Sequence, residues 1–366
     1  MATVIEGEVP SCAVMAEEVR KIKRRLVDEG RDEREVSQMR FWYRGHAVFD
    51  WGLLPSGLRR PFDRDPGRLQ TMLHEFRAEA AIIHDAPPNH DDARQWLFLM
   101  RHYEMPTLLI DWTRSPLAAI YFAVHGSSET AGQDAALWMV RPGVWNRYAI
   151  PASRDGGRDR LFEAYAKELN CLFQVHFYSD RLQGKDEMQK WIAAIEPVYN
   201  SRRMIAQQSV FTIHGPLSQP METVHEGFDE PCLWRWHIPG DKKGDLQQEL
   251  RDLGIQRSAL FPDLDNLSRC VKARYEASFM STNASGGNRQ AEAKADKGAG
   301  SAPLDVTSSP EKKPGEHWTN NGSAPTPSDI TAGGLEWGTQ GSDPDSAQSD
   351  HDGFRGGEAT GSSYVS

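Results

Sequence analysis

The first clear periodic pattern lies near the start of the chain, within residues 1–34. Apolar residues recur there at spacings of four, three and four, at Met15, Val19, Ile22 and Leu26. This spacing predicts an N-terminal helix with one apolar face. The opposite side of the helix is basic, and a solvated face explains it better than a contact with nucleic acid or membrane.

Further segments of the chain also have the residue pattern of helices, although some of them are mainly charged rather than apolar. This pattern predicts helices at about 68–84, 93–104, 241–253 and 263–277, and a short helix or turn at 202–207. Gly254 is placed to end the helix at 241–253, because glycine readily adopts the left-handed conformation found at helix ends.

Short apolar or aromatic runs between turn residues predict the strands. They lie at 41–46, 108–110, 135–140, 195–199, 209–214 and 234–238. The strand at 108–110 is predicted to stop at Asp111, and Ser115 and Pro116 then supply the N-cap and first position of an apolar helix. Strands and helices interleave without the regular period of a doubly wound or barrel fold, so we expect an α+β fold.

Composition separates a folded body from a tail. Residues 281–366 contain 14 Gly, 13 Ser and 6 Pro and carry a net charge of −6, which is typical of disorder. We therefore expect an N-terminal helix and lead-in at 1–34, a single mixed domain at 35–278 and a disordered tail at 279–366. The tail is a candidate segment for binding a protein partner.

Charge, apolar run length and cysteine spacing narrow the class of protein. The net charge of −10 argues against a strongly basic nucleic-acid-binding protein. The longest apolar run, residues 116–124, is about half the length that a membrane helix needs. Four scattered cysteines and an N-terminus without an apolar signal segment predict a reduced, cytoplasmic protein with no membrane contact.

Common catalytic and cofactor motifs are absent from the sequence. It contains no GxGxxG, GxxxxGK[ST], HExxH or GxSxG pattern. Histidine and carboxylate residues at 84–92 lie close together, but in a Pro-containing loop they are better explained as solvated side chains than as a metal site. We therefore predict no metal site, and the motifs assign no cofactor.

Arg44 and Asp111 are ionisable residues in strongly apolar sequence surroundings. Because an isolated buried charge is costly, each of them needs a partner. The two residues either form a structural ion pair that joins two strands, or Arg44 binds an anionic ligand such as phosphate. His102 and Tyr103, at the end of a predicted helix, are further candidates for the same site.

Four blocks of sequence carry a family resemblance. They are Trp42–His46 with Trp51–Ser56 and Arg59; His102 and Tyr103 with Asp111–Leu117; Arg203 with Gln207, Phe211 and Thr212; and Leu260–Asp265. Together, across residues 35–275, they resemble the FRG domain, which is named for an aromatic-Arg-Gly motif. Five positions differ from the usual family residue: His46, Arg101, Glu104, Leu108 and Ser209 stand in place of Gln, Gln, Gly, Arg and Gly.

The order of these blocks is also similar to that of ADP-ribosyltransferases. The resemblance implies that Arg44 binds the diphosphate or ribose of NAD, and that Thr113 or Ser115 shapes the nicotinamide pocket. It places Gln207 or Gln208 at the position of the catalytic carboxylate.

An amide at that position supplies no negative charge to an oxocarbenium-like transition state. In an enzyme of this kind, Glu104 or Asp111 is therefore the candidate substitute for the missing carboxylate.

Three hypotheses follow. The chain is an NAD-using transferase or glycohydrolase, or a binding module for a small nucleotide or a protein, or the Arg44–Asp111 pair is structural and there is no small-molecule site. The candidate catalytic residues are Gln207, Asp111 and Thr113, and the candidate ligand-binding residues are Arg44, His46, His102, Tyr103, Trp112 and Ser115.

Overall fold

The computed structural model describes residues 4–62, 65–151 and 159–276. The strands are β1 (Val4–Glu8), β2 (Trp42–His46), β3 (Leu109–Thr113), β4 (Ala135–Val140), β5 (Phe162–Glu163), β6 (Ile192–Glu196), β7 (Ser209–His214) and β8 (Leu233–Ile238). They form one mixed sheet in the order β1-β8-β4-β2-β3-β7-β6-β5. The predicted disordered tail at 279–366 lies outside the described residues.

Helices connect the strands and cover the sheet. They are α1 (Cys12–Asp28), α2 (Glu33–Gln38), α3 (Pro66–Ile83), α4 (Ala93–His102), α5 (Pro116–Val124), α6 (Pro142–Ala149), α7 (Asn170–Gln174), α8 (Arg202–Ala206), α9 (Met221–His225), α10 (Lys243–Asp252), α11 (Arg257–Leu260) and α12 (264–276). Together with the sheet they confirm the predicted α+β class. None of the helices in the described residues is both long and apolar enough to cross a membrane.

The ladder between β2 and β3 is interrupted at the centre of the sheet. On either side, β2 pairs with β4 and β3 pairs with β7, each through five residue pairs. Between β2 and β3, the described residues form a single antiparallel pair, Tyr43 with Thr113. The sheet therefore consists of two four-stranded halves joined at one point.

Two separate apolar clusters cover one face of these halves. One cluster joins α1, α5 and α10 to β2, β4 and β8, and the other joins α3, α4 and α7 to β3, β6 and β7. On the opposite face, a single cluster extends beneath both halves and contains the buried rings of Trp42, Trp112, Trp138 and Trp145. Because pleated strands point alternate side chains to opposite faces, the two-residue repeat of each strand separates these cores.

Most of the predicted elements are confirmed, but some of their limits differ. The strand predicted at 108–110 continues through Asp111 to Thr113, because the polar groups of Asp111, Trp112 and Thr113 find partners on α4, on β7 and at the end of α8. The strand predicted at 195–199 begins at Ile192 instead. Pro142, which follows β4, opens α6, since proline is well suited to the first helical position.

Candidate functional site

A cleft of about 630 Å³ opens where β2 and β3 separate. Both strands line it, together with the ends of α4, α5 and α8 and the segment that contains α11. Its volume lies in the range of small-molecule sites, which are about 300–1,000 Å³. The interrupted ladder thus leaves space for a ligand at the centre of the sheet.

Gly45 holds β2 against α5 at the edge of this cleft. A Cβ atom on Gly45 would lie 2.0 Å from the carbonyl oxygen of Ala119 and 2.5 Å from the nitrogen of Ala123. Only glycine permits that approach. The aromatic-Arg-Gly motif therefore fixes the position of the Arg44 backbone.

Arg44 extends from β2 into the gap between the strands. Its Nη1 donates to the backbone oxygen of Asp111 at 2.5 Å, and its Nε donates to Nε2 of His46 at 2.9 Å. Burial lowers the pKa of Arg44 to about 10, so the guanidinium keeps its charge at neutral pH. Among the described residues Nη2 has no hydrogen-bond partner, which leaves one arm of the fork for a ligand.

Asp111 is paired mainly with Arg101 rather than with Arg44. Arg101 Nε and Nη2 both lie 2.6 Å from Oδ2 of Asp111, whereas Arg44 Nη1 lies 3.9 Å from the same oxygen. Burial alone raises the pKa of Asp111, but the charges of Arg101 and Arg44 outweigh it and lower the pKa below its ordinary value. Asp111 is therefore ionised, and the charges of the two arginines balance its own.

His46 is a neutral acceptor for Arg44. The ring accepts from Arg44 at Nε2, and its Nδ1 donates to the backbone oxygen of Trp51 at 3.0 Å. Burial, with the nearby charge of Arg44, holds the pKa of His46 well below its usual value. His46 thus orients the Arg44 side chain and does not add a charge to the cleft.

Positive charge predominates along the cleft. Five arginines from five different segments line it: Arg44, Arg59, Arg101, Arg203 and Arg257. Its two carboxylates are Asp111 and Glu104. Burial and the charge of Arg101 lower the pKa of Arg59, whose guanidinium makes no hydrogen bond or ion pair with another described residue. The cleft therefore has an excess of cations suited to an anionic ligand.

Thr113 and Ser115 have structural hydrogen bonds. Thr113 is buried; its hydroxyl donates to the backbone oxygen of Gln207 at 2.6 Å and accepts from the nitrogen of Ser115 at 2.9 Å. The Ser115 hydroxyl accepts from the nitrogen of Ala118 as the N-cap of α5, and the predicted Ser115–Pro116 helix start is confirmed. Thr113 borders the cleft, whereas Ser115 does not line it.

Gln207 lies on the cleft at the end of α8. Its amide nitrogen donates to the backbone oxygen of Leu260 at 3.1 Å, which ties α8 to the segment containing α11. The next residue, Gln208, has φ of 49° and turns the chain into β7. Gln207 thus helps to close one end of the cleft.

His102, Tyr103 and Trp112 lie at or beyond its margin. His102 Nδ1 lies 3.4 Å from the hydroxyl oxygen of Ser201, and Tyr103 is exposed; neither residue lines the cleft. Trp112 borders it, but its ring is buried and donates to the hydroxyl of Thr212 at 3.2 Å. Leu108, where the family usually has Arg, packs in the core.

One end of the cleft is aromatic as well as basic. The guanidinium groups of Arg203 and Arg257 lie 4.5 and 5.1 Å from the ring centre of Phe261. The ring of Phe122 packs edge-on against Phe261 at 6.1 Å. An aromatic surface flanked by guanidinium groups is suited to a planar ring next to an anion.

The sequence patterns do not assign four of the cleft arginines, Arg59, Arg101, Arg203 and Arg257, to the site. Arg59 and Arg203 lie in the blocks that resemble the family, which was a usable signal. Arg101 lies in the helix predicted at 93–104 and Arg257 lies between two predicted helices, and only the fold brings them together. Among the described residues, no group of three or more His, Cys, Asp or Glu side chains is arranged to hold a metal ion.

The fold and the cleft define an α+β protein with an arginine-lined site at a break in its central sheet. The family model of the FRG domain matches residues 39–132, and the chain contains an FRG domain. That match includes β2, the cleft residues Arg44, Arg101 and Asp111, and all of α5. No curated protein and no solved structure matches the chain significantly.

Proposed function

We propose that the cleft binds a phosphate-bearing nucleotide and that NAD is its candidate ligand. The observation that carries this proposal is the set of five arginines facing a cleft with only two carboxylates. One guanidinium group can bind two phosphate oxygens at once, and a cluster of arginines without an anionic ligand is electrostatically unfavourable. Phe261 and its two flanking arginines provide a surface for the base or the nicotinamide ring.

Arg44 is the proposed centre of the phosphate site. His46 and the backbone of Asp111 fix two sides of its guanidinium, and Nη2 is left to donate to a phosphate oxygen. Such fixed donors bind without the entropy loss of a mobile side chain. Arg59 and Arg101 extend the positive charge on either side of it.

A second candidate function is cleavage of the bound NAD by a transferase or glycohydrolase. The presence of Asp111 and Glu104 on the cleft favours it, because a carboxylate stabilises the positive charge that develops on ribose during cleavage. Gln207, the residue that the resemblance places at the catalytic position, contributes an amide. The alternative remains a module that binds a nucleotide or a protein without chemistry.

Thermal unfolding of the full chain with and without NAD tests the binding proposal. We expect wild type to gain about 5 °C in Tm at a NAD concentration 100 times the Kd. Arg44→Ala should lose this gain. Arg20→Ala, which removes an exposed arginine of α1 that does not line the cleft, should keep it. No response of wild type to NAD or ADP-ribose would contradict the proposal.

Nicotinamide release by the same proteins separates the two candidate functions. Release by wild type that is lost in Arg44→Ala supports NAD cleavage. A Tm gain with NAD in the absence of any release supports the binding module instead.

A further inference from the structure

Glu104 has a backbone conformation that is unfavourable for a residue with a side chain. It follows the last turn of α4 with φ of 63°, in the left-handed region that glycine adopts without a steric penalty. The Glu104 nitrogen donates to the oxygen of Arg101 at 3.1 Å, and the Met105 nitrogen donates to the oxygen of Met100 at 3.0 Å. These two bonds define the Schellman motif, in which the left-handed residue is usually glycine.

Two other helices of this protein end in the same motif with glycine. Gly30 after α1 has φ of 91° and donates to the oxygen of Val27, and Gly254 after α10 has φ of 79° and donates to the oxygen of Arg251. At both positions a Cβ would meet no atom within 4 Å. The chain thus uses glycine at two comparable helix ends and glutamate at the end that faces the cleft.

The charge of Glu104 is also unfavourable for α4. Partial negative charge accumulates on the free carbonyl groups at the C-terminus of a helix, and an anion there is repelled. Glu104 is exposed, and its carboxylate forms no hydrogen bond or ion pair with another described residue. The charges of Arg101 and Arg203 act on Glu104 from nearby, but within the described residues no hydrogen bond or ion pair of its carboxylate offsets these two costs.

The carboxylate lines the cleft beside the arginines. The charge of Asp111 is the largest influence that raises the pKa of Arg101, and Glu104 adds to it, which places Glu104 near that guanidinium. Asp111 is already neutralised by Arg101 and Arg44. Among the described residues, Glu104 is therefore the cleft carboxylate that has no hydrogen bond or ion pair of its own.

We infer that Glu104 is a ligand-binding residue that accepts hydrogen bonds from the ribose hydroxyl groups of the nucleotide. This inference rests on the proposed nucleotide site. A carboxylate repels phosphate, so its partner is a part of the ligand that donates hydrogen bonds, and the sugar next to the phosphates supplies them. Glu104 then distinguishes a nucleotide from inorganic phosphates, which the arginines alone bind.

Calorimetric titration of the full chain with ADP-ribose and with pyrophosphate tests the inference, since the two probes share phosphates but only the first has ribose. Glu104→Gln removes the charge and keeps the strained backbone, and Glu104→Gly removes both. We expect both variants to bind ADP-ribose about tenfold more weakly. Pyrophosphate binding should be retained or strengthened.

The melting temperature without ligand supplies an independent readout. Glu104→Gly should raise it by about 2–4 °C, because glycine relieves the left-handed strain and removes the charge from the helix end. The matched control Gly30→Glu places the same residue in the same motif away from the cleft. It should lower the melting temperature and leave both titrations unchanged.

The outcomes separate this inference from the proposal on which it rests. If wild type binds both probes and Glu104→Gln binds ADP-ribose as tightly as wild type, the role of Glu104 is wrong while the nucleotide site stands. If wild type binds neither probe, the proposed site is wrong and this inference fails with it.

Discussion

Two groups of arginines in this protein differ in how their charges are used. In the first, which we call the Glu230 cluster, Glu230 binds Arg31, Arg141 and Arg147, and Asp159 binds two of the same arginines. In the cleft, five arginines share Asp111 and an unpaired Glu104. In the first group the arginines are paired with carboxylates of the protein, whereas in the second group some guanidinium donors are unpaired and face the cleft.

The comparison shows that arginine number alone does not indicate a binding site. The Arg141 side chain is 3% exposed, so its ion pairs are shielded from water and its role is to join elements of the fold. The side chains of Arg44 and Arg101 are 22% and 21% exposed and border the cleft. What distinguishes a ligand site is the combination of unused donors, accessible space and excess charge.

The largest expected effect lies in the Glu230 cluster. Glu230→Gln leaves three arginines without their common anion, and we expect a loss of about 3 kcal/mol or more in the free energy of unfolding. Asp111→Asn, the matched change in the cleft, should cost about 1 kcal/mol, because Asp111 is 37% exposed and water replaces part of its role. Urea denaturation measures both, and equal losses would contradict the distinction.

The pH dependence of stability is the next effect. Burial lowers the pKa of His176 from 6.5 to about 4, and similarly lowers the pKa values of His214, His225 and His46. The unfolded chain takes up protons near pH 6.5 and the folded chain does not, so stability is full above pH 6.5 and falls as the pH decreases towards 4. For His176 alone the loss is on the order of 3 kcal/mol.

His46→Gln separates the cleft from the other buried histidines in this titration. A glutamine amide can accept from Arg44 and donate to the backbone of Trp51 at any of these pH values. Denaturation midpoints between pH 6.5 and 4 should therefore fall less steeply in this variant than in wild type. Parallel curves would show that protonation of His46 does not affect stability.

The smallest expected effect on stability comes from Arg59. Since its guanidinium has no partner among the described residues, Arg59→Ala should change the free energy of unfolding by less than about 0.5 kcal/mol. The same variant should weaken NAD binding about tenfold, as the loss of one charged hydrogen bond predicts. A stability loss comparable to that of Glu230→Gln would show that Arg59 has a structural role, as the arginines of the Glu230 cluster do.

Local sequence was sufficient to predict many elements of this fold. The helix start at Ser115 and Pro116 and the apolar face of α1 depend on residues close together in the chain. By contrast, β1 pairs with β8 across more than 200 residues, and its short sequence carries no strong strand pattern. Strand order and the interruption between β2 and β3 depend on the packing of all the helices, which no local pattern records.

The site was predictable only in its central residues. Arg44 and Asp111 stand out because each is ionisable in apolar sequence, and the structure brings them into contact. Arg101 is the stronger partner of Asp111, and nothing in the sequence near residue 101 marks it as such. The roles proposed for Thr113 and Gln207 stay predictions, and the hydrogen bonds of both side chains join neighbouring segments.

The single residue pair between β2 and β3 has a mechanical consequence. A complete ladder would resist separation of the strands with one hydrogen bond after another, whereas here the described residues link β2 to β3 through the Tyr43–Thr113 pair and the bond from the Arg44 side chain to the Asp111 backbone. The tryptophan-rich cluster beneath both halves then supplies much of the packing that joins them. The width of the cleft is accordingly held by fewer hydrogen bonds than the neighbouring ladders, and a ligand that bridges the two halves would add links across it.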